Sequence, residues 1–251
     1  MINSVARCAE ILKIIFGGVN RFTDISYRLN LNKSTTHRLL KALEKSGLVT
    51  QDPLTRKYLP GYLILRLASN PIFSHQLLIV SSHDEMVRLS KLSAESVALH
   101  ISIGGERICL EEIQSDQDIK YISGVGSVAP IYVGSAGKLL LSEMERKDLQ
   151  ILLNNIQLLP VGPKTIIKQK RLLRELDEIR KQGYATSQEE RLFGGVAVSV
   201  PIKNYICPVA LSIVGPYFRL GSKMMDFLDD LKLSSKRISK KVQSYSRENR
   251  G

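Results

Sequence analysis

Ser34, Thr35, Arg38 and Lys41 recur at the three- and four-residue spacing that places side chains on one face of a helix. That face offers ammonium, hydroxyl and guanidinium groups and meets no carboxylate before Glu44. Leu39, Leu40 and Leu43 make the opposing apolar stripe. Cations and hydroxyls in this order suit contact with phosphates and base edges in the major groove of double-stranded DNA. Ser34, Thr35, Arg38 and Lys41 are expected to face the groove. Lys33 and a second cationic pair, Arg56 and Lys57, are expected to hold phosphates. A plain helical hairpin with a solvated face shows a similar pattern, so the flanking elements must decide.

Those elements favour a DNA reader. Val5, Cys8, Ala9, Leu12, Ile15 and Phe16 keep helical spacing and predict a supporting helix over Ser4–Phe16 before Gly17-Gly18. Ile25 and Leu29 predict a second short helix, with Thr23 as its N-cap ahead of Asp24. Gly47 stands where the helix bearing Arg38 should end in a left-handed residue. Leu48–Gln51 then reads as a strand, Asp52-Pro53-Leu54-Thr55 as a turn and Arg56–Leu59 as a returning strand. Helix, helix-turn-helix and basic hairpin together form a winged helix-turn-helix.

Other candidate chemistry fails on spacing. Gly134-Ser135-Ala136-Gly137-Lys138 lacks the P-loop pattern, because position 132 is Tyr and Leu139 follows the lysine. Gly124-Val125-Gly126 lacks the third glycine of a dinucleotide fingerprint, and no nucleophile elbow occurs. Glu189 and Glu190 are adjacent and point two ways, a poor acid–base couple. Cys8, Cys109 and Cys207 are widely spaced and predict small buried residues rather than a disulfide framework or zinc site. No catalytic residue, metal or cofactor is expected. The alternative reading is a small-molecule enzyme with a basic N-terminal appendage.

The charge is unevenly distributed. Residues 1–70 hold 11 Lys+Arg against 4 Asp+Glu, residues 71–231 hold 18 against 19, and residues 232–251 hold 7 against 1. A basic module on a near-neutral body matches a first part that meets a polyanion and a second that does not. The basic tail reads as the solvated face of a last helix. No stretch is apolar enough to span a membrane and no leader is evident, so a cytoplasmic protein is expected. The expected architecture is α+β. A winged domain over 1–60 is followed by a linker helix over 61–74 that stops before Pro71, then a larger domain over 75–251. In that domain a helix carries Leu77 through Leu92, and strands at 96–103 and 107–113 join through Gly104-Gly105. Helices at 136–153 and 167–182, strands at 184–188, 195–202 and 208–214 and a final helix complete a largely antiparallel sheet domain.

The run Lys33-Ser34-Thr35-Thr36-His37-Arg38-Leu39-Leu40, then Leu43, Gly47 and Lys57-Tyr58-Leu59-Pro60-Gly61, resembles the DNA-binding domain of IclR-type bacterial transcriptional regulators. The resemblance continues through Gly134–Lys138, Gly183-Tyr184, Glu189-Glu190, Gly194, Pro201-Ile202 and Ser212-Ile213-Val214-Gly215-Pro216, and so covers nearly the whole chain. It implies a GAF-like second domain that binds a small effector: an organic, sugar or aromatic acid. Carried over by position, the effector-binding residues are Ser135, Ala136, Ser187, Ala197 and Ser212. Ser187 stands where the family often has an acidic residue, Ala197 where it often has Cys, and Tyr132 where it usually has His. With Tyr121 and Phe193, Tyr132 suggests a larger, more aromatic pocket. The Gly-flanked helix start favours an anionic group, whereas Lys138 reads as a solvated lysine. A single winged module makes few base contacts, so a homodimer on a near-palindromic operator is expected, and the resemblance adds a homotetramer.

Overall fold

Amphipathic periodicity in the first 45 residues builds α1 (Ile2–Phe16), α2 (Phe22–Arg28) and α3 (Lys33–Lys45), seen in a computed structural model that describes residues 2–248. Their apolar faces meet in a core of Ile11, Ile15, Ile25, Leu39, Leu40 and Leu43, closed by Val49 and Tyr58. Asn32 caps α3: its side-chain oxygen accepts the Thr35 N–H at 2.8 Å, satisfying one of the amides left free at a helix start. Thr23 does not cap α2. It lies inside that helix, whose N-cap position is Arg21, and its hydroxyl donates to the Asp24 carboxylate.

The wing is short. β1 (Val49–Gln51) pairs antiparallel with β2 (Tyr58–Pro60). The Asp52 carboxylate accepts the Leu54 N–H at 3.0 Å and the Thr55 hydroxyl, fixing the turn. Arg56 and Lys57 precede β2 instead of opening it, and Arg56 takes a left-handed φ of 58°. Gly61 then crosses Gly47 so closely that a Cβ on it would lie 2.2 Å from the Gly47 carbonyl oxygen. Only glycine permits that approach. Beyond it run α4 (Tyr62–Ala68) and a further turn of helix, α5 (Pro71–Ser74).

Residues Met1–Ser74 form one compact unit and His75–Gly251 a second. The second unit runs α6 (Gln76–Ser93), β3 (Ser96–Ile103), β4 (Glu106–Ile113), β5 (Val128–Pro130), α7 (Gly134–Ser142), α8 (Arg146–Asn155) and α9 (Gln169–Gln182). β6 (Ala185–Gln188), β7 (Gly195–Ile202), β8 (Val209–Pro216), α10 (Tyr217–Leu220) and α11 (Leu228–Glu248) follow. The strands form one antiparallel sheet in the order β5-β4-β3-β8-β7-β6. α7 packs over β6, β7 and β8 and against α9. Val209, Leu211 and Ile213 alternate away from Ser212 yet are buried, which requires a covering layer on the other face. α6 and α11, packed together and against β3 and β7, supply it.

The helix expected over 136–153 is two helices, broken at Glu143–Glu145. Arg180 of α9 donates to the Ser142 carbonyl at 2.9 Å and the Met144 carbonyl at 3.4 Å, so the freed acceptors keep partners. Of the three cysteines, Cys109 alone is fully buried; Cys8 and Cys207 are half-buried. Among the described residues no helix is long and apolar enough to cross a membrane. Nor does any group of three or more His, Cys, Asp or Glu side chains gather to hold a metal ion.

Candidate functional site

α3 presents Lys33, Ser34, Arg38 and Lys41 to solvent, with Thr35 half-buried behind its bond to Asn32. Thr36, next in sequence, turns inward and donates to the Asn32 carbonyl at 3.2 Å. Between α3 and the wing lies a concave surface that gathers His37, Lys41, Gln51 and Arg56 with Arg21 from before α2. Lys41 is held by Glu44 at 2.7 Å, an exposed pair that water screens and DNA can displace. Arg21, His37 and Gln51 escaped the sequence reading, because their approach to α3 depends on how α2 and the wing fold back.

In the second unit, a cavity opens between the sheet and the start of α7. Its wall includes Ser135 and Ala136 from α7, Ser187 from β6, Ala197 from β7 and Ser212 from β8. The strand register accounts for the gathering. Ser187 pairs with Ala197, Ala197 with Val214, and Ser199 with Ser212. Ser199 is fully buried and joins the two lining hydroxyls, at 2.7 Å to Ser135 Oγ and 2.7 Å to Ser212 Oγ. Three hydroxyl protons serve two bonds, so the chain has one proton to spare. Ser199 was missed because its role comes from bridging two residues far from it in sequence.

Two further side chains on this wall are buried without hydrogen-bond partners among the described residues. Both ring nitrogens of His100 on β3 and Nε of Arg107 on β4 lack hydrogen bonds. Burial, reinforced by the charges of Arg107 and Arg191, holds His100 well below the usual imidazole range, so it is neutral near pH 7. Burial and then the charge of Arg191 bring Arg107 down to about 10, still cationic at neutral pH.

Lys138 is not solvated. It is 1% exposed and bonds both Glu175 of α9 and Glu190, the residue two beyond β6. Glu190 also accepts the Gly134 N–H at 3.0 Å, occupying the first free amide of α7. The lysine therefore supplies no free charge to the cavity. Burial pushes the Glu190 carboxyl up although Lys138 opposes the shift. Glu189 points elsewhere, to Lys164 at 2.7 Å and the Gly194 N–H at 3.0 Å.

The cavity is not large, measuring about 60 Å³. Tyr132 contributes nothing to it. Its hydroxyl accepts the Leu159 N–H at 2.9 Å and donates to the Leu159 carbonyl at 3.0 Å, locking the ring in the core. Phe193 is 80% exposed, and only its backbone carbonyl matters here, accepting the Tyr121 hydroxyl. The Tyr121 ring lies against Gly194 and Gly195, at 3.1 Å from where a Cβ on Gly195 would stand, and narrows the mouth. Above it, the Glu112 carboxylate accepts the N–H groups of Ser123 at 2.6 Å and Gly124 at 2.9 Å, fixing the loop that carries Tyr121.

The family model of the IclR helix-turn-helix domain matches residues 4–53, and that of the bacterial transcriptional regulator IclR C-terminal domain matches residues 72–240. The chain is 30% identical over 206 residues to the HTH-type transcriptional repressor AllR of Escherichia coli K12, spanning 81% of this chain and 76% of the relative. The AllR of Salmonella typhimurium LT2 is 32% identical over the same length, with 81% and 75% covered. Among solved structures, the Thermotoga maritima IclR superposes with a TM-score of 0.62 at 28% identity, covering 96% of this chain and 99% of its own. An IclR homologue from Microbacterium hydrocarbonoxydans, complexed with 4-hydroxybenzoate, shares the fold at a TM-score of 0.62 and 21% identity, with 96% and 99% covered. These relatives are transcriptional regulators, not enzymes.

Proposed function

The chain belongs to the IclR family of bacterial transcriptional regulators, and from that premise we propose that a short organic acid bound in its second unit changes the affinity of the first for a near-palindromic operator. The DNA-binding regulator with a C-terminal ligand-binding domain follows from family membership; the acid and the named contacts are this reading's own. One observation carries it: the five residues taken over by position, Ser135, Ala136, Ser187, Ala197 and Ser212, line a single cavity with two arginines that no described residue pairs. A volume of about 60 Å³ holds roughly four to six waters, which favours a short acid over a sugar acid or a ring-bearing one. The enzyme alternative falls with the relatives. Fluorescence anisotropy with the DNA upstream of the protein's own reading frame, with and without short acids, tests the whole proposal. Equal affinity for that DNA and for random duplex would sink it.

In this reading Ser34, Thr35, Arg38 and Lys41 meet the groove, and Lys33, Arg56 and Lys57 hold phosphates of a homodimer's half-site, with tetramers formed by further pairing. Lys57→Ala should weaken operator and random DNA alike and flatten the slope of log affinity against log salt by roughly one unit, since one phosphate contact releases about one counterion. A salt titration reads the slope directly; loss confined to the operator would make Lys57 a base contact.

Ser135→Leu should fill the cavity mouth and break the hydroxyl chain at its α7 end. The expected result is loss of the acid response with operator affinity in the absence of acid retained. An unchanged response in the same anisotropy assay would place the effector outside this cavity.

A further inference from the structure

The cavity wall holds two guanidinium groups that no carboxylate among the described residues neutralises. Arg107 is 7% exposed, and among the described residues neither it nor Arg191 forms an ion pair. Glu190, the carboxylate on the same wall, is already taken by Lys138 and the Gly134 amide. The neighbouring Cys109 offers no counter-charge, because burial pushes its thiol up to about 12 and keeps it neutral. An unpaired buried charge is strongly unfavourable, so a site that retains one is arranged around a charge that arrives from outside.

The surroundings indicate where that charge goes. Gly137 is bare on the side facing Arg107: a Cβ there would lie 3.4 Å from Arg107 Cδ and 2.0 Å from the Ile131 carbonyl oxygen. The guanidinium stem therefore lies along the first turn of α7, where the amides of Ser135 and Ala136 begin the helix and favour negative charge. Arg191 follows Glu190 beyond β6 and lines the same cavity. Neutral His100 brings one donor and one acceptor without repelling an anion. The net charge of the free lining groups is thus that of two arginines.

We propose that Arg107 is the anion-binding residue of this cavity and that its ligand is a short dicarboxylate, one carboxylate on Arg107 and the other on Arg191. The proposal rests on the acid-effector reading above and goes beyond it in naming the anchor and the charge. Length is set by the room available, about 60 Å³, which suits two carboxylates joined directly or through one carbon. The serine hydroxyl chain has one proton to spare, and a carboxylate oxygen that reaches Ser135 or Ser212 can accept it.

The test titrates full-length protein with malonate and oxalate, and with acetate and propionate as monocarboxylates of similar bulk, by calorimetry and thermal shift at constant ionic strength. The dicarboxylates are expected to bind at least about tenfold more tightly, the size of one charge-assisted contact. Arg191→Ala should bring malonate down to the level of propionate. Arg107→Met should abolish the heat of both classes while raising the melting temperature of the ligand-free protein, because an unpaired buried charge is gone. A wild-type protein that binds propionate as tightly as malonate overturns the proposal but leaves a short acid effector standing. No heat with any of the four acids overturns both. Should Arg107→Met not fold, the malonate-to-propionate ratio in wild type and in Arg191→Ala decides alone.

Discussion

Lys138→Met lowers the stability of the second unit by about 3–5 kcal/mol, the usual cost of removing one partner from a buried ion pair. The lysine is 1% exposed, and its Glu190 partner is nearly as deeply buried, with a side chain 7% exposed. Methionine fills the space and restores the packing, so the loss comes from the carboxylate left without a cation. Its sign with pH follows from that. Burial already raises the Glu190 carboxyl above its unfolded value, and without Lys138 it rises further. A raised carboxyl contributes stability that is present below the unfolded pKa and is lost as pH climbs through the folded one. The deficit of Lys138→Met should therefore be smaller near pH 5 than near pH 8. Urea unfolding at both values measures it, and Lys138→Met combined with Glu190→Gln should recover much of the loss. A single-variant deficit below about 1 kcal/mol, ordinary for an exposed pair, would mean that water reaches the pair.

Arg38→Ala is the second large effect, on DNA affinity instead of stability. Arg38 is exposed one turn into α3 with no acidic partner among the described residues. If it reads a guanine edge, its loss weakens the operator complex by about 1–3 kcal/mol and relaxes base preference at one position of each half-site. Random duplex should be almost unaffected. Competition binding against a set of single-position operator variants separates the outcomes. Equal losses on operator and random DNA would assign Arg38 to a phosphate.

Much of this protein was determined locally. A period of 3.6 residues with leucines on one side and cations on the other is enough to build α3, and Gly47 is enough to stop it at a left-handed φ of 73°. Strand alternation likewise put Ser212 and Val214 on one face and Leu211 and Ile213 on the other, and β8 keeps that division. Such features follow from neighbours within a few positions, and a single chain displays them openly.

The chemistry of the cavity was decided by the tertiary structure. Lys138 looks like any surface lysine until Glu175 and Glu190, 37 and 52 positions away, close on it. Ser199 is an unremarkable strand serine until β7 aligns it between Ser135, 64 positions away, and Ser212, 13 positions away. Tyr132 sits in the motif where a pocket residue was expected, yet Leu159, 27 positions on, draws its hydroxyl into the core. Arg107 stands in a strand next to Glu106 like an ordinary surface arginine, and only the tertiary structure, which lays its stem against Gly137 of α7, shows that it is buried. Whether a charge is solvated or buried depends on which distant groups arrive beside it, and periodicity carries no information about contacts at that range.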